Sequence, residues 1–139
     1  MRLAIEEAKK APHPYAALLV KDGKVIAKAG TSSADSLDPT AHAEMSVIRE
    51  ACVKLHTNNL TGLSLYTTVE PCPMCFSASW WANISKIYFG ISLTESSKLL
   101  FAEMDVTSHY LNKHSGNKIE LVGGVLSEEI RKLFNNLKK

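Results

Sequence analysis

The stretch "EPCPMC", Glu70 to Cys75, decides the fold because it marks the junction between a strand and a helix. It follows the β-rich run "LSLYTT" at 63–68, and Pro71 opens a helix predicted to continue to about Ala82. The two cysteines of the stretch lie three residues apart, each directly after a proline. Alone, this pair fits half of a zinc site, a redox pair, or the first turn of a buried helix.

The sequence on either side predicts one layered α/β domain over residues 1–139. The predicted elements are, in chain order, a helix at 3–10, a hairpin around Asp22-Gly23, a helix at 41–55, a strand at 63–68, a helix at 71–82, a strand at 86–91, a helix at 96–101, a strand at 118–124 and a helix at 127–137. Asp-Gly between two β-rich runs is a strong hairpin signal. Helices between the later strands favour parallel crossovers, so the sheet is predicted to be mixed.

The composition fits an ordinary globular chain, with 45% apolar residues, 22% charged residues and a net charge of +2. No apolar run reaches the roughly 18 residues of a membrane span, and the charged N-terminus does not resemble a signal peptide. We therefore expect a cytoplasmic protein without a membrane partner. The chain has three cysteines, Cys52, Cys72 and Cys75, too few for a disulfide framework. Metal binding, catalysis or burial must therefore explain their presence.

A second polar junction lies at "DPTAHAE", residues 38–44, where a polar loop meets the first long helix. In an open α/β sheet, ligands bind beyond the strand ends, so two neighbouring helix starts can bring both motifs together. Zinc takes imidazole nitrogen and thiolate sulfur, which makes His42, Cys72 and Cys75 the predicted ligands of a Zn²⁺ ion. Glu44 is better placed beside the metal than on it, as a proton carrier.

A closed structural zinc site in a binding module is the alternative from another class of protein. Such a site needs a fourth ligand, but Cys52 follows His42 by ten residues, about 15 Å along a helix axis. Cys52 also lies on the apolar stripe of its helix, where burial as a small hydrophobic side chain is expected. The sequence therefore favours an open, catalytic metal site, in which the two motif cysteines serve the metal and not redox chemistry.

The segments "DPTAHAEMSVIREA" (38–51) and "LYTTVEPCPMC" (65–75) resemble the cytidine-deaminase-like superfamily, in particular its branch of guanine deaminases, tRNA adenosine deaminases and related nucleoside deaminases. The resemblance extends from the hairpin to segment 122–126. It implies a three-layer α/β/α sandwich with a five-stranded mixed sheet and a zinc-dependent hydrolytic deaminase activity. Members of the superfamily are usually dimers, so a homodimer is expected.

The resemblance also implies roles for three residues around the substrate. The backbone N–H of Ala43 is expected to contact the edge of the ring. The family commonly has an Asn at the position of Thr31 to hold the ring, so this chain presents a shorter hydroxyl group there. Guanine deaminases carry an acidic residue after the fourth strand that reads the purine, and this position falls near Glu103.

The predicted substrate is a small nucleobase or nucleoside, guanine first, with adenosine in tRNA or a cytosine-type base as alternatives. tRNA-acting members carry Arg-Ile after the cysteine helix and then a basic, glycine-containing stretch. This chain instead has Asn83-Ile84 and "GISLTESSKLL" at 90–100, so nucleic acid is predicted to be an unlikely partner. Short bacterial guanine deaminases close the pocket with an aromatic C-terminus, whereas Leu137-Lys138-Lys139 predicts a wetter pocket.

Three further side chains receive structural interpretations. Trp81 points away from the cysteine face of its helix, so packing in the core or in a subunit interface is expected. His13 could approach a pocket mouth, but a surface role is the favoured interpretation. Glu70 is expected to cap the next turn or to form a hydrogen bond near the metal.

Overall fold

The structure, a computed structural model, describes residues 1–32 and 35–137. Its elements are α1 (Arg2–Lys10), β1 (Ala16–Lys21), β2 (Lys24–Gly30), α2 (Ala43–Leu55), β3 (Ser64–Val69), α3 (Pro73–Trp81), β4 (Lys86–Ile91), α4 (Leu93–Leu99), α5 (Ser108–Lys113), β5 (Glu120–Val122) and α6 (Ser127–Leu137). Each predicted element is present: β4 and α6 have the predicted bounds, the other elements have shifted ends, and α5 is additional.

The strands form one five-stranded mixed sheet in the order β2-β1-β3-β4-β5, which confirms the predicted sheet. Strand β1 is antiparallel to β2 and β3, whereas β3, β4 and β5 are parallel. In the hairpin turn, Asp22 and Gly23 both have positive φ, 48° and 76°, as a two-residue type I′ turn requires. Because β3 and β4 are parallel, the loops that follow them leave the sheet at the same edge.

Helices cover both faces of the sheet, which gives the predicted three-layer arrangement. Helix α2 packs on β1 and β2 in the larger core cluster, whose buried members include Val47, Ile48, Leu65, Phe76 and Ile87. Helices α1 and α6 contribute to a second cluster formed by Ile5, Val69, Ile91, Ile130 and Phe134. Gly90 in β4 permits the close approach of α6, because a Cβ atom there would collide with the Ile130 side chain.

Helix α4 begins earlier than predicted. The helix expected at 96–101 spans Leu93–Leu99, because the Ser92 side chain accepts a hydrogen bond from the Glu95 N–H at 3.1 Å and caps the first turn. This Ser-x-x-Glu spacing is the sequence signature of a helix start. The polar, serine-rich composition of the segment obscured it.

Helix α5 has no counterpart among the predicted elements. Its cap is Thr107, whose side chain accepts a hydrogen bond from the Tyr110 N–H at 3.2 Å. The two short helices α4 and α5 therefore bracket a loop at 100–107, which we name the wall loop. It carries Glu103.

The tryptophan pair of α3 is less buried than the sequence predicts. Trp81 is 75% exposed, so the expectation of core packing is wrong for this residue, and packing in a subunit interface stays a prediction. Trp80 is half-buried and donates its indole N–H to the Ser115 carbonyl oxygen at 3.1 Å. The pair thus covers one end of α3 without filling the core.

Candidate active site

The three predicted zinc ligands lie together where α2 and α3 begin. His42 and Cys72 directly precede their helices with extended backbone, and Cys75 lies in the first turn of α3. The Nδ1 atom of His42 lies 3.6 Å from the Cys72 Sγ and 3.7 Å from the Cys75 Sγ. One ligand atom from each residue lies within 4.8 Å of the others, so the three form a candidate metal site.

The spacing of this cluster fits a tetrahedral zinc site. For bonds of about 2.0–2.3 Å, neighbouring ligand atoms of a tetrahedron lie about 3.3–3.8 Å apart. The two nitrogen–sulfur distances, 3.6 and 3.7 Å, fall within this range. One imidazole and two thiols are also the donor chemistry that zinc prefers, and three protein ligands leave a fourth position for water or substrate.

The two thiols differ in acidity. Hydrogen bonds from Cys75 and from His42 lower the pKa of Cys72 to about 4. The same bond to Cys72, together with burial, raises the pKa of the Cys75 thiol. Cys75 is therefore the less acidic of the two thiols. Since zinc binds thiolates, metal binding is expected to release the Cys75 proton.

Glu44 lies beside the metal cluster, with only 7% of its surface exposed. Its Oε1 accepts a hydrogen bond from the Thr67 hydroxyl at 2.9 Å, and its Oε2 accepts one from the Cys75 thiol at 3.6 Å. Burial raises the pKa of Glu44, and the nearby Cys72 thiolate raises it further. A buried carboxyl group of raised pKa next to a metal cluster has the properties of a proton carrier.

A cavity of about 410 Å³ opens above the metal cluster and Glu44. All three predicted substrate residues, Thr31, Ala43 and Glu103, line it. Their contact with a substrate stays a prediction. The same cavity is lined by His42, Glu44 and Cys72, so any ring bound there faces the predicted proton carrier.

An aromatic group on the cavity wall was missed in the sequence. Phe101 of the wall loop lies edge-on to His13, with ring centroids 4.9 Å apart, and stacks on Tyr15 at 6.1 Å. The Tyr15 hydroxyl and the Ser96 Oγ form a hydrogen bond of 3.0 Å. His13 therefore lies at the pocket mouth and not on the open surface. In the sequence, only its position just before β1 indicated that it could lie near the cavity.

The cavity is acidic. Asp35, Glu44, Glu70 and Glu103 line it, and no Lys or Arg does so among residues 1–32 and 35–137. Burial raises the pKa of Glu103, and the Cys72 thiolate adds to this effect. The C-terminal lysines, which bear on the predicted wetness of the pocket, lie outside the described residues.

The fold and the metal cluster define the class of zinc-dependent deaminases, and comparison with known proteins agrees. The family described as "Cytidine and deoxycytidylate deaminase zinc-binding region" matches residues 1–91, and the chain belongs to this family. A "tRNA-specific adenosine deaminase" of Aquifex aeolicus is 38% identical over 99% of this chain and 95% of its own length. A "Guanine deaminase" of Bacillus subtilis is 41% identical over 63% of this chain and 56% of its own length.

A solved structure gives the same result for the fold. It comes from a study of "A-to-I Editing by tRNA:A34 Deaminases", and it matches with a TM-score of 0.81 and 32% identity over 96% of both chains. The predicted superfamily, enzyme class and zinc cofactor are therefore confirmed. No helix within the described ranges combines the length and apolar character needed to cross a bilayer. Cytoplasmic location and a homodimer stay predictions.

Proposed function

We propose that residues 1–139 form one deaminase domain that hydrolyses the exocyclic amine of a nucleobase. The observation that carries this proposal is a set of three ligand atoms at tetrahedral spacing beside the buried Glu44 carboxyl group, below a cavity of about 410 Å³. His42, Cys72 and Cys75 would hold Zn²⁺, which when bound acidifies a water so that hydroxide is available near neutral pH.

In the proposed mechanism, Glu44 moves the protons. It takes one proton from the attacking water and delivers it to a ring nitrogen, and it then carries the second proton, from the hydroxyl group added to the ring carbon, to the leaving amine. A C–O bond forms at the ring carbon, the C–N bond breaks, and ammonia leaves. The Thr67 hydroxyl holds Glu44 in place at 2.9 Å, and the Ala43 N–H orients the edge of the ring.

Adenosine in tRNA is the first candidate substrate. The support comes from relatives named for this activity that match nearly the whole of both chains. The guanine deaminase of Bacillus subtilis matches a shorter part of this chain. These relatives favour adenosine in tRNA, the alternative named in the sequence analysis, over its first choice, guanine. They also argue against the prediction that nucleic acid is an unlikely partner.

A guanine-type base is the second candidate, because the cavity wall carries Glu103. A carboxylate can accept both the ring N–H and the amino N–H on one edge of guanine, whereas adenine presents an acceptor nitrogen there. In addition, no Lys or Arg of the described residues lines the cavity to hold the phosphates of a flipped nucleotide. Both features suit an uncharged ring that is rich in N–H donors.

One experiment separates the two candidates. The zinc-loaded protein is assayed for inosine in a tRNA transcript, and for ammonia from adenine, guanine, cytosine and their nucleosides. Inosine without ammonia from free bases supports the tRNA substrate, and ammonia from guanine alone supports the second candidate. Stoichiometric zinc without either product would refute deamination and favour a structural zinc site.

The role of Glu44 is tested by Glu44→Gln. We expect this variant to keep its zinc and to lose about 10²–10⁴-fold in kcat, the usual contribution of general acid–base catalysis. Glu50→Gln is a matched control, because Glu50 lies on the same helix but pairs with Lys54 at 2.6 Å on its outer side. Full activity of Glu44→Gln would contradict the mechanism.

A further inference from the structure

Glu70 is a buried carboxyl group that binds two separate backbone amides. It is only 3% exposed. Its Oε2 accepts the Leu93 N–H at 2.9 Å, and its Oε1 accepts the Ser108 N–H at 2.7 Å. These residues begin α4 and α5, so Glu70 does not cap the turn after it; of the two expectations, hydrogen bonds near the metal fit better, since Glu70 lies two residues before Cys72. Within the described contacts, neither oxygen has a cationic partner.

The two amides that Glu70 binds anchor both helices that flank the wall loop. Ser108 forms a second bond to the cysteine loop, because its hydroxyl donates to the Pro71 carbonyl oxygen at 3.0 Å. Within α4, the Ser97 Oγ accepts the Glu103 N–H at 3.1 Å. Glu70, two residues before Cys72, is therefore linked through helix α4 and two hydrogen bonds to Glu103, which also lines the cavity.

We propose that Glu70 is a positioning residue, which fixes the wall loop relative to the metal cluster and thereby sets how tightly the substrate ring is bound. Glu70 lies two residues before Cys72, and the intervening Pro71 has a fixed φ, so its side chain and the metal cluster share one rigid segment. Both helices that bracket Phe101 and Glu103 start from the Glu70 carboxyl group. The statement about substrate rests on the proposed function, whereas the statement about the loop does not.

Two substitutions break this link from opposite sides. Glu70→Gln keeps the size of the side chain but replaces one accepting oxygen with an NH₂ group. Ser108→Pro removes the amide N–H and leaves Glu70 unchanged. Proline suits the first position of a helix, and Thr107 before it already has the extended backbone that proline requires (φ −76°, ψ 156°). Ser108→Ala is the matched control, since it loses only the hydroxyl bond to Pro71.

Hydrogen–deuterium exchange of the zinc-loaded proteins measures directly how well the backbone amides of the wall loop are protected. The reporters are the hydrogen-bonded amides of Leu100, Glu103 and Val106. We expect them to exchange at least about tenfold faster in Glu70→Gln and in Ser108→Pro, because the loop loses one anchor. Exchange in β3 and in Ser108→Ala should match the wild type. Unchanged reporters in either folded variant would overturn the proposal.

Kinetics on the substrate found in the deaminase assay read the second half of the proposal. A displaced wall weakens contacts made equally with substrate and transition state, so KM should rise roughly tenfold in Ser108→Pro, whose residue is not among the described ones that line the cavity, as well as in Glu70→Gln, while kcat and zinc content stay near wild type. A decrease in both kcat and zinc content would instead show that Glu70 stabilises the metal-binding cysteine loop, and it would overturn the proposal. If the wild type deaminates nothing, the proposed function fails, and exchange alone decides the role of Glu70.

Discussion

The Thr67 hydroxyl provides a direct test of how Glu44 is held. Thr67 is buried in β3, and its one O–H faces two acceptors, the Glu44 Oε1 at 2.9 Å and the Val69 carbonyl oxygen at 3.0 Å. A hydroxyl donates one hydrogen, so only one of these acceptors is served at a time. When Glu44 has taken up a proton, it can donate to Thr67 while Thr67 donates to Val69. Thr67 can therefore form a hydrogen bond with Glu44 in both protonation states of Glu44, as donor to the carboxylate and as acceptor from the protonated acid.

The expected cost of Thr67→Val follows from this geometry. The substitution keeps the branched shape of the side chain and removes the hydroxyl, so the Glu44 carboxylate loses its 2.9 Å donor. Because this bond exists before and during the reaction, its strength largely cancels in kcat, and the loss comes from the poorer orientation of Glu44, which can lower kcat by up to about 100-fold. KM should change little, because Thr67 is not among the described residues that line the cavity.

Steady-state kinetics on the identified substrate, together with zinc analysis, check this prediction. Thr67→Ser is the control, since it restores the hydroxyl and should recover most of the lost kcat. A Thr67→Val protein with full zinc and wild-type kcat would refute the reasoning. A rise in KM at constant kcat would also refute it, because it would place Thr67 in substrate binding.

Three further predictions concern stability. Burial raises the pKa of Glu103, so the folded state binds more protons than the unfolded state above the ordinary value of 4.5, and wild-type stability should fall as pH rises through this window. Denaturant unfolding of Glu103→Gln should show a smaller fall, because Glu44, whose pKa burial also raises, still contributes, and a pH profile parallel to wild type would contradict the prediction. Gly90→Ala should lower the free energy of unfolding by about 1–3 kcal/mol, because its methyl group would overlap the Ile130 side chain and the Thr68 carbonyl oxygen. Adding Ile130→Val should restore part of this loss in chemical unfolding, and two additive effects would argue against the collision. Removal of the metal with a chelator should lower the Tm of the wild type and of Cys52→Ser but not that of Cys75→Ser. An equal decrease of Tm in all three proteins would show that metal binding does not depend on Cys75.

The metal half of the site can be predicted from the sequence because it depends on local structure. His42 and Cys72 each stand directly before a helix, and strand-to-helix junctions of one sheet meet at a shared edge. Two short motifs therefore determine both which residues can bind the metal and where in the fold they come together. The hairpin is equally local, since Asp22 and Gly23 carry the two positive φ values of its turn.

The cavity wall depends on contacts that no local pattern encodes. Helix α5 has six residues and little apolar periodicity, and its start is bound by Glu70, 38 positions earlier in the chain. Phe101 acquires its role only when the wall loop brings it against His13, nearly ninety residues away. Such pairings are products of tertiary packing. A carboxyl group next to a cysteine motif attracts a metal-centred interpretation, although its two oxygens in fact organise distant helices.

The substrate is the least predictable feature because it depends on the whole wall. Thr31 and Glu103 were identified by resemblance to a family; both line the cavity, and their contact with a substrate stays a prediction. Their presence does not rank guanine against adenosine, because a base is read by the combined positions of several groups. Relatives matched over the full chain and the acidic lining favour different substrates.

The helix starts at the metal cluster show a trade-off between stability and function. His42 and Cys72 occupy the positions where Ser, Thr, Asp or Asn would cap a helix, yet neither side chain makes a capping hydrogen bond. A missing cap typically costs about 1 kcal/mol, so two of the main helices give up stability in order to direct ligands into the cavity. An engineer who restored ordinary caps at both positions would obtain a more robust scaffold with no catalytic metal.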